Sequence, residues 1–353
     1  MPLFMDRHDV SSEVTAENVA ELHQQDLKIQ HLYNCRGLTY WFDAGRGTAF
    51  CLVEAPDEQS IREMHNKAHG KVPNQIIEVE ASIVESFLGR IGDPERSQNT
   101  ELNIINDPAF RTIMVVALKH SLPLNSIPLS LKSALQHFDH SVLELIDSYE
   151  GATVKHSNGS HLVSFKSVSN AVKAAIEIRE IFKHFASQMR EKQILLKIGL
   201  SAGVPVTEKN NLFEDTIKLA ERMNDFILGE IILSSEVNQL YNSENENSLD
   251  KLPYMNPLTR SEEMFLTLLM DYVETVWDNI HLRANDFNNP LGCSKSKLYR
   301  KMKALTGRSP NVFIRDYRLS KALELLTSQS GNVSEIAFET GFSSPSYFSK
   351  CFQ

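Results

Sequence analysis

The fold of the C-terminal part of the chain is decided by the run Gly331-Asn-Val-Ser-Glu-Ile-Ala-Phe-Glu-Thr-Gly-Phe-Ser-Ser-Pro-Ser-Tyr-Phe-Ser-Lys-Cys-Phe-Gln353. The apolar residues Ile336, Ala337 and Phe338 predict the buried side of a short helix. Gly341 then supplies the positive φ that a tight turn requires. A helix, a glycine turn and a second helix form the arrangement of a DNA-reading helix-turn-helix.

The second helix of this motif is predicted to begin at Ser344, whose hydroxyl can cap it. Its apolar residues Tyr347, Phe348 and Phe352 are predicted to face inward. Small polar and basic residues lie on its other side, from its first turn onward. These are the predicted DNA contacts: Ser344, Pro345, Ser346, Ser349 and Lys350.

A first helix-turn-helix precedes this one. Its opening helix, near residues 284–289, is weak because Asn288 stands where a small apolar residue is preferred and Pro290 shortens the helix. The reading helix is better: Leu298 and Met302 face the core, and its outer side is polar and basic. The predicted DNA contacts on it are Ser294, Lys295, Ser296, Lys297, Arg300 and Lys301. A long helix over 310–328 joins the two motifs.

Charge is distributed unevenly. The chain has 353 residues and a net charge of −9. From Arg283 to the end, 11 Lys/Arg stand against 5 Asp/Glu, a local charge of +6, so the preceding residues carry −15. An acidic body with a basic last domain indicates that only that domain meets phosphate.

Composition indicates a cytoplasmic protein of two or three globular domains. The hydrophobic content is 42%. The first residues lack the apolar core of a signal peptide, and no stretch is long enough to span a membrane. The four cysteines, Cys35, Cys51, Cys293 and Cys351, are scattered without a C-x-x-C pair, which favours reduced thiols and disfavours a zinc ribbon.

Residues 1–92 predict a small α+β domain in the order βαββαβ, which is the ferredoxin-like arrangement. His65 and His69 are four apart on its second helix and therefore share one face. The first and third strands are neighbours in such a sheet, which brings His8 near Cys51. Nitrogen and thiolate donors suit nickel, copper or zinc better than magnesium. From spacing alone, two solvent-exposed histidines on a helix remain an equal alternative.

Residues 93–103 predict a linker, and 104–240 predict a second α+β domain. Its elements are a strand over 113–118, a helix over 131–149, a hairpin around Asn158-Gly159, a long amphipathic helix over 168–188, a buried strand over 195–202, a helix over 215–223 and a last strand over 230–233. A second polar linker over 241–260 precedes the all-α domain of residues 261–353.

Three resemblances accompany these patterns. The run Ser294-Lys-Ser-Lys-Leu-Tyr-Arg-Lys-Met-Lys-Ala-Leu-Thr-Gly-Arg-Ser-Pro310, with the two helices that follow, resembles the DNA-binding domain of AraC/XylS transcription regulators. Met5-Asp-Arg-His-Asp9, Phe50-Cys-Leu-Val-Glu-Ala-Pro56 and His65-Asn-Lys-Ala-His-Gly70 look like a family of small ferredoxin-like proteins described as nickel-binding. That resemblance implies a set of candidate metal ligands: His8, His23, Cys51, His65 and His69.

The middle domain is similar to class III adenylate/guanylate cyclases, through Gly151-Ala-Thr-Val-Lys155, Ile198-Gly-Leu-Ser-Ala-Gly203 and Ile217-Lys-Leu-Ala-Glu-Arg222. Such cyclases hold two Mg²⁺ with two aspartates. Ala117 and Gly159 stand where the resemblance places those aspartates, so no magnesium-dependent chemistry is expected and the domain is interpreted as catalytically inactive. A nucleotide or other ligand held without turnover, at Lys155 and Arg222, is the alternative for this domain.

The sequence thus predicts a DNA-binding transcription regulator with metal- or ligand-responsive sensing domains. Its expected partners are double-stranded DNA, a second copy in a homodimer, a small effector or nickel (or another late transition metal ion), and no membrane. Two other classes compete: a nucleotide cyclase or nucleotide-binding signalling protein, and a nickel-binding or trafficking protein.

Overall fold

The N-terminal segment forms the predicted βαββαβ arrangement. The computed structural model describes residues 1–94, 102–120, 129–157, 159–187, 194–245, 253–328 and 331–352. The elements are β1 (Leu3–Asp9), α1 (Ala16–Ile29), a 3₁₀ turn (Gln30–Tyr33), β2 (Arg36–Asp43), β3 (Thr48–Glu54), α2 (Glu58–Ala68), β4 (Gln75–Val79) and α3 (Ala81–Leu88). The strands form one antiparallel sheet in the order β2-β3-β1-β4. Thr15 and Asp57 cap α1 and α2 through their side chains.

The two faces of this sheet bury different cores because side chains alternate along each strand. On one face, Phe4, Phe42 and Val53 pack against α1 and α2. On the other face, Trp41 and Leu52 pack against α3 and against residues of the middle segment. Helix α3 was not predicted from the sequence.

The middle segment is a six-stranded sheet with helices. Its elements are β5 (Arg111–His120), α4 (Leu129–Ser148), β6 (Ala152–Ser157), β7 (Ser160–Phe165), α5 (Val168–Ser187), β8 (Ile194–Gly203), α6 (Glu214–Phe226), β9 (Ile231–Leu233), α7 (Ser235–Glu244) and β10 (Met255–Pro257). The sheet order is β10-β9-β8-β5-β7-β6. Helices α4, α5 and α7 contribute to its largest core. Residues 241–244, predicted as linker, belong to α7, since Val237 and Tyr241 are buried on that core.

The chain divides into two compact units, Met1–Asn224 with Glu230–Met255, and Asp225–Gly229 with Asn256–Gln353. Both α+β segments therefore belong to the first unit. The predicted boundaries of the three domains remain predictions, and parts of both predicted linkers, together with Asn158, lie outside the described residues.

The second unit contains the all-α arrangement. Its helices are α8 (Arg260–Val276), a 3₁₀ turn (Ala284–Phe287), α9 (Lys295–Thr306), α10 (Pro310–Thr327), α11 (Val333–Glu339) and α12 (Pro345–Phe352). The short 3₁₀ turn agrees with the weak opening helix expected near 284–289. Asn332 caps α11, and Gly341 has φ +75° between α11 and α12. A Cβ at Gly341 would lie 2.7 Å from the carbonyl oxygen of Asp278.

Two residues predicted to face inward are exposed. Ile336, Ala337 and Phe348 are buried as expected, but Phe338 and Tyr347 are 55% and 50% exposed. Three consecutive helical residues span about 200° and cannot all share one buried face. The fold class of the chain, two α+β segments followed by an all-α unit, is confirmed.

Candidate metal centre and nucleic-acid interface

Four elements of the first unit bring titratable side chains to one cavity. Asp6 and His8 are two apart on β1 and therefore lie on the same face of the sheet. The antiparallel register places Asp6 opposite Cys51 on β3. Asp26 on α1, and His65 on α2 with its C-cap His69, complete the group. A cavity of about 460 Å³ is lined by His8, His23, Asp26, Cys51, His65 and His69, and Asp6 lies beside it in contact with His8 and His65.

Asp26, His65 and His69 form a triangle of possible ligand atoms. The His65 Nδ1 atom lies 3.1 Å from Asp26 Oδ1 and 3.3 Å from His69 Nε2, and His69 Nε2 lies 3.2 Å from Asp26 Oδ1. Ligand atoms about 2.1 Å from a divalent ion are about 3.0 Å apart at a right angle and about 3.4 Å apart in a tetrahedron. The three distances therefore match one face of a coordination polyhedron.

The same carboxylate oxygen lacks a well-aligned hydrogen bond. Asp26 Oδ1 is buried, and no described residue donates one to it, although two imidazole nitrogens lie within 3.2 Å. A buried carboxylate oxygen with two imidazole nitrogens this close is an arrangement that a bound cation would stabilise. By geometry and donor chemistry, these residues fit a late transition metal ion.

Asp6 orients the cluster from the opposite side. Its Oδ2 atom lies 3.0 Å from His65 Nε2, and its Oδ1 atom lies 3.2 Å from His8 Nε2. The backbone N–H of Cys51 also donates to Asp6 Oδ1, at 3.1 Å. A carboxylate that accepts the second ring N–H of a ligating histidine fixes the tautomer and orientation of the ring. Asp6 is therefore placed to direct His65 Nδ1 towards Asp26.

The charges of the cluster support one another. Burial opposes ionisation of Asp6 and Asp26, but the neighbouring histidines outweigh burial and lower the pKa of both carboxyls. Burial also disfavours the imidazolium of His65, yet the neighbouring carboxylates of Asp26 and Asp6 raise the pKa of His65 to about 10. Without metal, His65 is therefore protonated at neutral pH and held between two carboxylates.

Cys51 and His23 occupy other places in the cavity. Ligand atoms of Asp6, His8 and Cys51 lie within 4.8 Å of one another and form a second possible donor group. Burial, followed by the charge of Asp6, raises the pKa of the Cys51 thiol well above its usual range. The His23 ring packs 5.0 Å from the Tyr40 ring, and burial lowers the pKa of His23.

All five histidines and cysteines predicted as ligands line this one cavity. Which of them bind metal stays a prediction. Asp6 and Asp26 are not among the ligands that the sequence predicts. The signal for Asp6 was present: it lies in the Met5–Asp9 run that carried the resemblance, two residues before His8 on a predicted strand.

The predicted DNA contacts of the second unit lie largely on the outer sides of α9 and α12. On α9, Ser294 accepts a hydrogen bond from the Lys297 backbone N–H, and Leu298 and Met302 are fully buried. The exposed side carries Lys295, Ser296, Lys297 and Arg300. The ammonium of Lys301 lies 4.9 Å over the Phe265 ring and is only partly exposed.

On α12, the Ser344 hydroxyl accepts a hydrogen bond from the Tyr347 backbone N–H, which caps the helix as predicted. Ser346, Ser349 and Lys350 are exposed, while Pro345 is half-buried. Phe348 anchors the helix against Phe342, with ring centroids 5.0 Å apart. Each helix thus presents a polar side above an apolar anchor, and direct contact of these residues with DNA stays a prediction.

The two residues predicted to contact a nucleotide or other ligand in the middle segment have different surroundings. Lys155 is exposed on β6 and lines a cavity of about 540 Å³, with Glu78, Glu80 and Asn211 among the other lining residues. Arg222 is buried on α6 and does not line that cavity. A nucleotide site at these two residues stays a prediction.

Comparisons with known proteins agree with a candidate metal centre at the N-terminal end and a candidate DNA-binding unit at the C-terminal end. Residues 289–353 match a family model described as a helix-turn-helix domain, so the second unit contains a domain of the class that transcription regulators use to bind DNA. Residues 4–79 match the family model described as nickel responsive protein SCO4226-like. The resemblances seen at both ends of the sequence are therefore confirmed.

Curated relatives match this chain over only part of their own length. One is histidine kinase P4 of Formosa agariphila, 40% identical over 92 residues, which are 26% of this chain and 7% of the kinase. Another is the uncharacterized HTH-type transcriptional regulator YdeC of Bacillus subtilis, 31% identical over 94 residues, 27% of this chain and 30% of that protein. The chain thus covers less than a third of either relative.

Solved structures are similar to separate segments. SCO4226 from Streptomyces coelicolor A3(2) is 31% identical over 22% of this chain and 94% of its own, with a TM-score of 0.21. The adenylyl cyclase CyaB from P. aeruginosa is 16% identical over 38% of this chain and 81% of its own, with a TM-score of 0.32. Among the described residues, no helix is both long and apolar enough to cross a membrane.

Proposed function

We propose that this chain is a DNA-binding transcription regulator whose activity depends on a metal ion held in the first unit. The observation that carries the proposal is the surface of α9: a serine-capped helix with Lys295, Lys297 and Arg300 exposed above a fully buried Leu298 and Met302. Basic side chains at the leading end of a capped helix can pair with phosphates and guanine edges in a major groove.

The test is selection of bound duplexes from a random DNA pool by the full-length protein, followed by affinity measurement on the winning sequence. We expect Arg300→Ala to weaken binding by at least about tenfold if Arg300 contacts a base. Arg260→Ala is the matched control, since it removes the same charge outside both helix-turn-helix segments. No salt-sensitive preference for any duplex, with or without metal, would refute the proposal.

The metal we propose is nickel, held by Asp26, His65 and His69. The family match of residues 4–79 and the triangle of donor atoms support this assignment. When bound, the ion supplies a divalent charge at the junction of α1 and α2. The residues of the chain hold it: Asp26 joins the two helices, and Asp6 fixes the ring of His65.

Calorimetric titration with Ni²⁺ tests the site. We expect His65→Ala to abolish measurable binding and His31→Ala, at an exposed position outside the cavity, to leave it unchanged. DNA affinity measured with and without Ni²⁺ then tests the regulatory role, because an ion that binds both states equally cannot shift their populations. If the DNA affinity is the same with and without Ni²⁺, the metal site has no sensing function.

We infer that the middle segment does not cyclise nucleotides. Ala117 on β5 and Gly159 at the β6–β7 turn are neighbours, since the Leu118 N–H donates to the Gly159 carbonyl at 2.9 Å. Neither residue offers a carboxylate for a divalent ion beside a triphosphate. Turnover of ATP or GTP with Mn²⁺, lost in Arg222→Ala, would overturn this inference.

We further propose that the regulator acts as a homodimer. Sedimentation equilibrium with and without Ni²⁺ measures the mass directly. A monomer at the concentrations that bind DNA would contradict it.

A further inference from the structure

A second cluster of metal-binding side chains lies in the middle segment, away from the N-terminal cavity. Asp139 comes from α4, His156 from β6 and His161 from β7. The antiparallel register pairs His156 directly with His161, and their rings stack with centroids 4.7 Å apart and an interplanar angle of 17°. A helix and a hairpin therefore bring two imidazoles and one carboxylate together.

Each oxygen of Asp139 faces one imidazole. The His156 Nε2 atom lies 2.7 Å from Asp139 Oδ2, and the His161 Nε2 atom lies 2.9 Å from Asp139 Oδ1. One ligand atom from each of the three residues can be chosen so that all lie within 4.8 Å of one another. Donors about 2.1 Å from one ion cannot be more than about 4.2 Å apart, so small side-chain adjustments close the set around a single ion.

One contact in the cluster is not satisfied by a hydrogen bond. Asp139 Oδ1 is buried, and no described residue donates a hydrogen bond to it, although His161 Nε2 is 2.9 Å away. The same feature marks Asp26 Oδ1 in the N-terminal cavity. A cation bound by both atoms would turn this close contact into coordination.

Burial and access differ between the two histidines. The His161 side chain is 2% exposed, so its ring is shielded from solvent beside Asp139. His156 is 38% exposed on β6, the edge strand of the sheet, which leaves a path for an ion to enter.

We propose that Asp139, His156 and His161 bind a divalent late transition metal ion such as Zn²⁺. Imidazole and carboxylate donors without a thiol suit this class of ion. Three protein residues leave at least one coordination position for water or a small anionic ligand. The bound ion would join α4 to the β6–β7 hairpin.

The experiment uses the full-length chain and Co²⁺, whose visible d–d absorption reports coordination, with Zn²⁺ as competitor. A His65→Ala/His69→Ala/Cys51→Ser background removes a ligand from both possible donor groups of the N-terminal cavity. In that background we expect one Co²⁺ per chain, and we expect His156→Ala to weaken binding by at least about tenfold. His140→Ala is the matched control, because His140 lies on the same helix but is exposed and faces Glu144.

The outcomes separate this inference from the proposed function. Two ions per wild-type chain, reduced to one by either the His65→Ala/His69→Ala/Cys51→Ser set or His156→Ala, support both sites. No Co²⁺ in the background, or binding that survives both His156→Ala and Asp139→Asn, would overturn the inference and leave the N-terminal site standing. Circular dichroism of each variant shows that a lost ion is not a lost fold.

Discussion

Metal binding at the N-terminal cavity should release protons and strengthen as the pH rises. Between two carboxylates, the pKa of His65 is raised to about 10 despite its burial, so the ring carries a proton at pH 7. An ion at His65 Nδ1 must displace that proton, because only the neutral imidazole offers a lone pair there. One displaced proton makes the affinity rise about tenfold per pH unit, or about a hundredfold between pH 6 and pH 8.

The assay is calorimetric titration with Ni²⁺ in buffers of different ionisation enthalpy, which counts the protons released per ion. The proton count also distinguishes the two possible donor groups. Burial raises the pKa of the Cys51 thiol well above the usual range, so a Cys51 thiolate ligand would release a further proton when the ion binds. If Asp26, His65 and His69 form the site, Cys51→Ser leaves the proton count unchanged. If Asp6, His8 and Cys51 form it, Cys51→Ser lowers the count by about one.

A nickel affinity that is flat between pH 6 and pH 8, while His65→Ala still abolishes binding, would refute this prediction. His65 would then be a ligand that carries no proton before the ion arrives, which contradicts the raised pKa. His31→Ala controls for nonspecific binding by an exposed histidine.

Three further predictions concern stability. Without metal, the pKa of His65 is about 10 in the folded chain, above its ordinary 6.5. The contribution of His65 to the free energy of unfolding is therefore complete below pH 6.5 and is lost as the pH rises towards 10. Urea denaturation of the apoprotein at several pH values should show the midpoint falling across that window, and His65→Ala should remove this fall. Gly341→Ala should destabilise the second unit by about 1–3 kcal/mol, because of its positive φ and the backbone oxygen 2.7 Å from the new Cβ, whereas Gly92→Ala, with no atom within 4 Å, should be nearly neutral in the same thermal melts. Phe348→Ala should cost about 3–5 kcal/mol by loss of a buried ring, while Phe338→Ala, at a 55% exposed position, should cost less than about 1 kcal/mol; equal losses would contradict the burial assigned to the two rings.

Local patterns predicted much of the fold, because they are set by neighbouring residues. The βαββαβ order of residues 1–92 and the cap at Ser344 both follow from short-range patterns, and the structure has both. Helix α3 was missed because its apolar residues are buried by a distant partner: Val84 and Phe87 pack against the middle segment. Such burial cannot be seen in the helix's own sequence.

The candidate site shows the same limit. The i, i+4 spacing of His65 and His69 predicted a shared face, and the βαββαβ order predicted that His8 and Cys51 meet. Asp26 lies 39 residues before His65, and nothing local distinguishes its carboxylate from the other acidic residues of the chain. Only the packing of α1 beside α2 shows that this carboxylate completes the triangle.

The two-sided sheet of the N-terminal segment has a consequence for protein engineering. Trp41, Phe50 and Leu52 are at most 1% exposed, and they lie on the face covered by α3 and the middle segment. If residues 1–94 were excised from the chain, that apolar face would meet water and favour aggregation. An N-terminal segment used alone would have to keep the middle segment over this face, or carry polar side chains at those three positions.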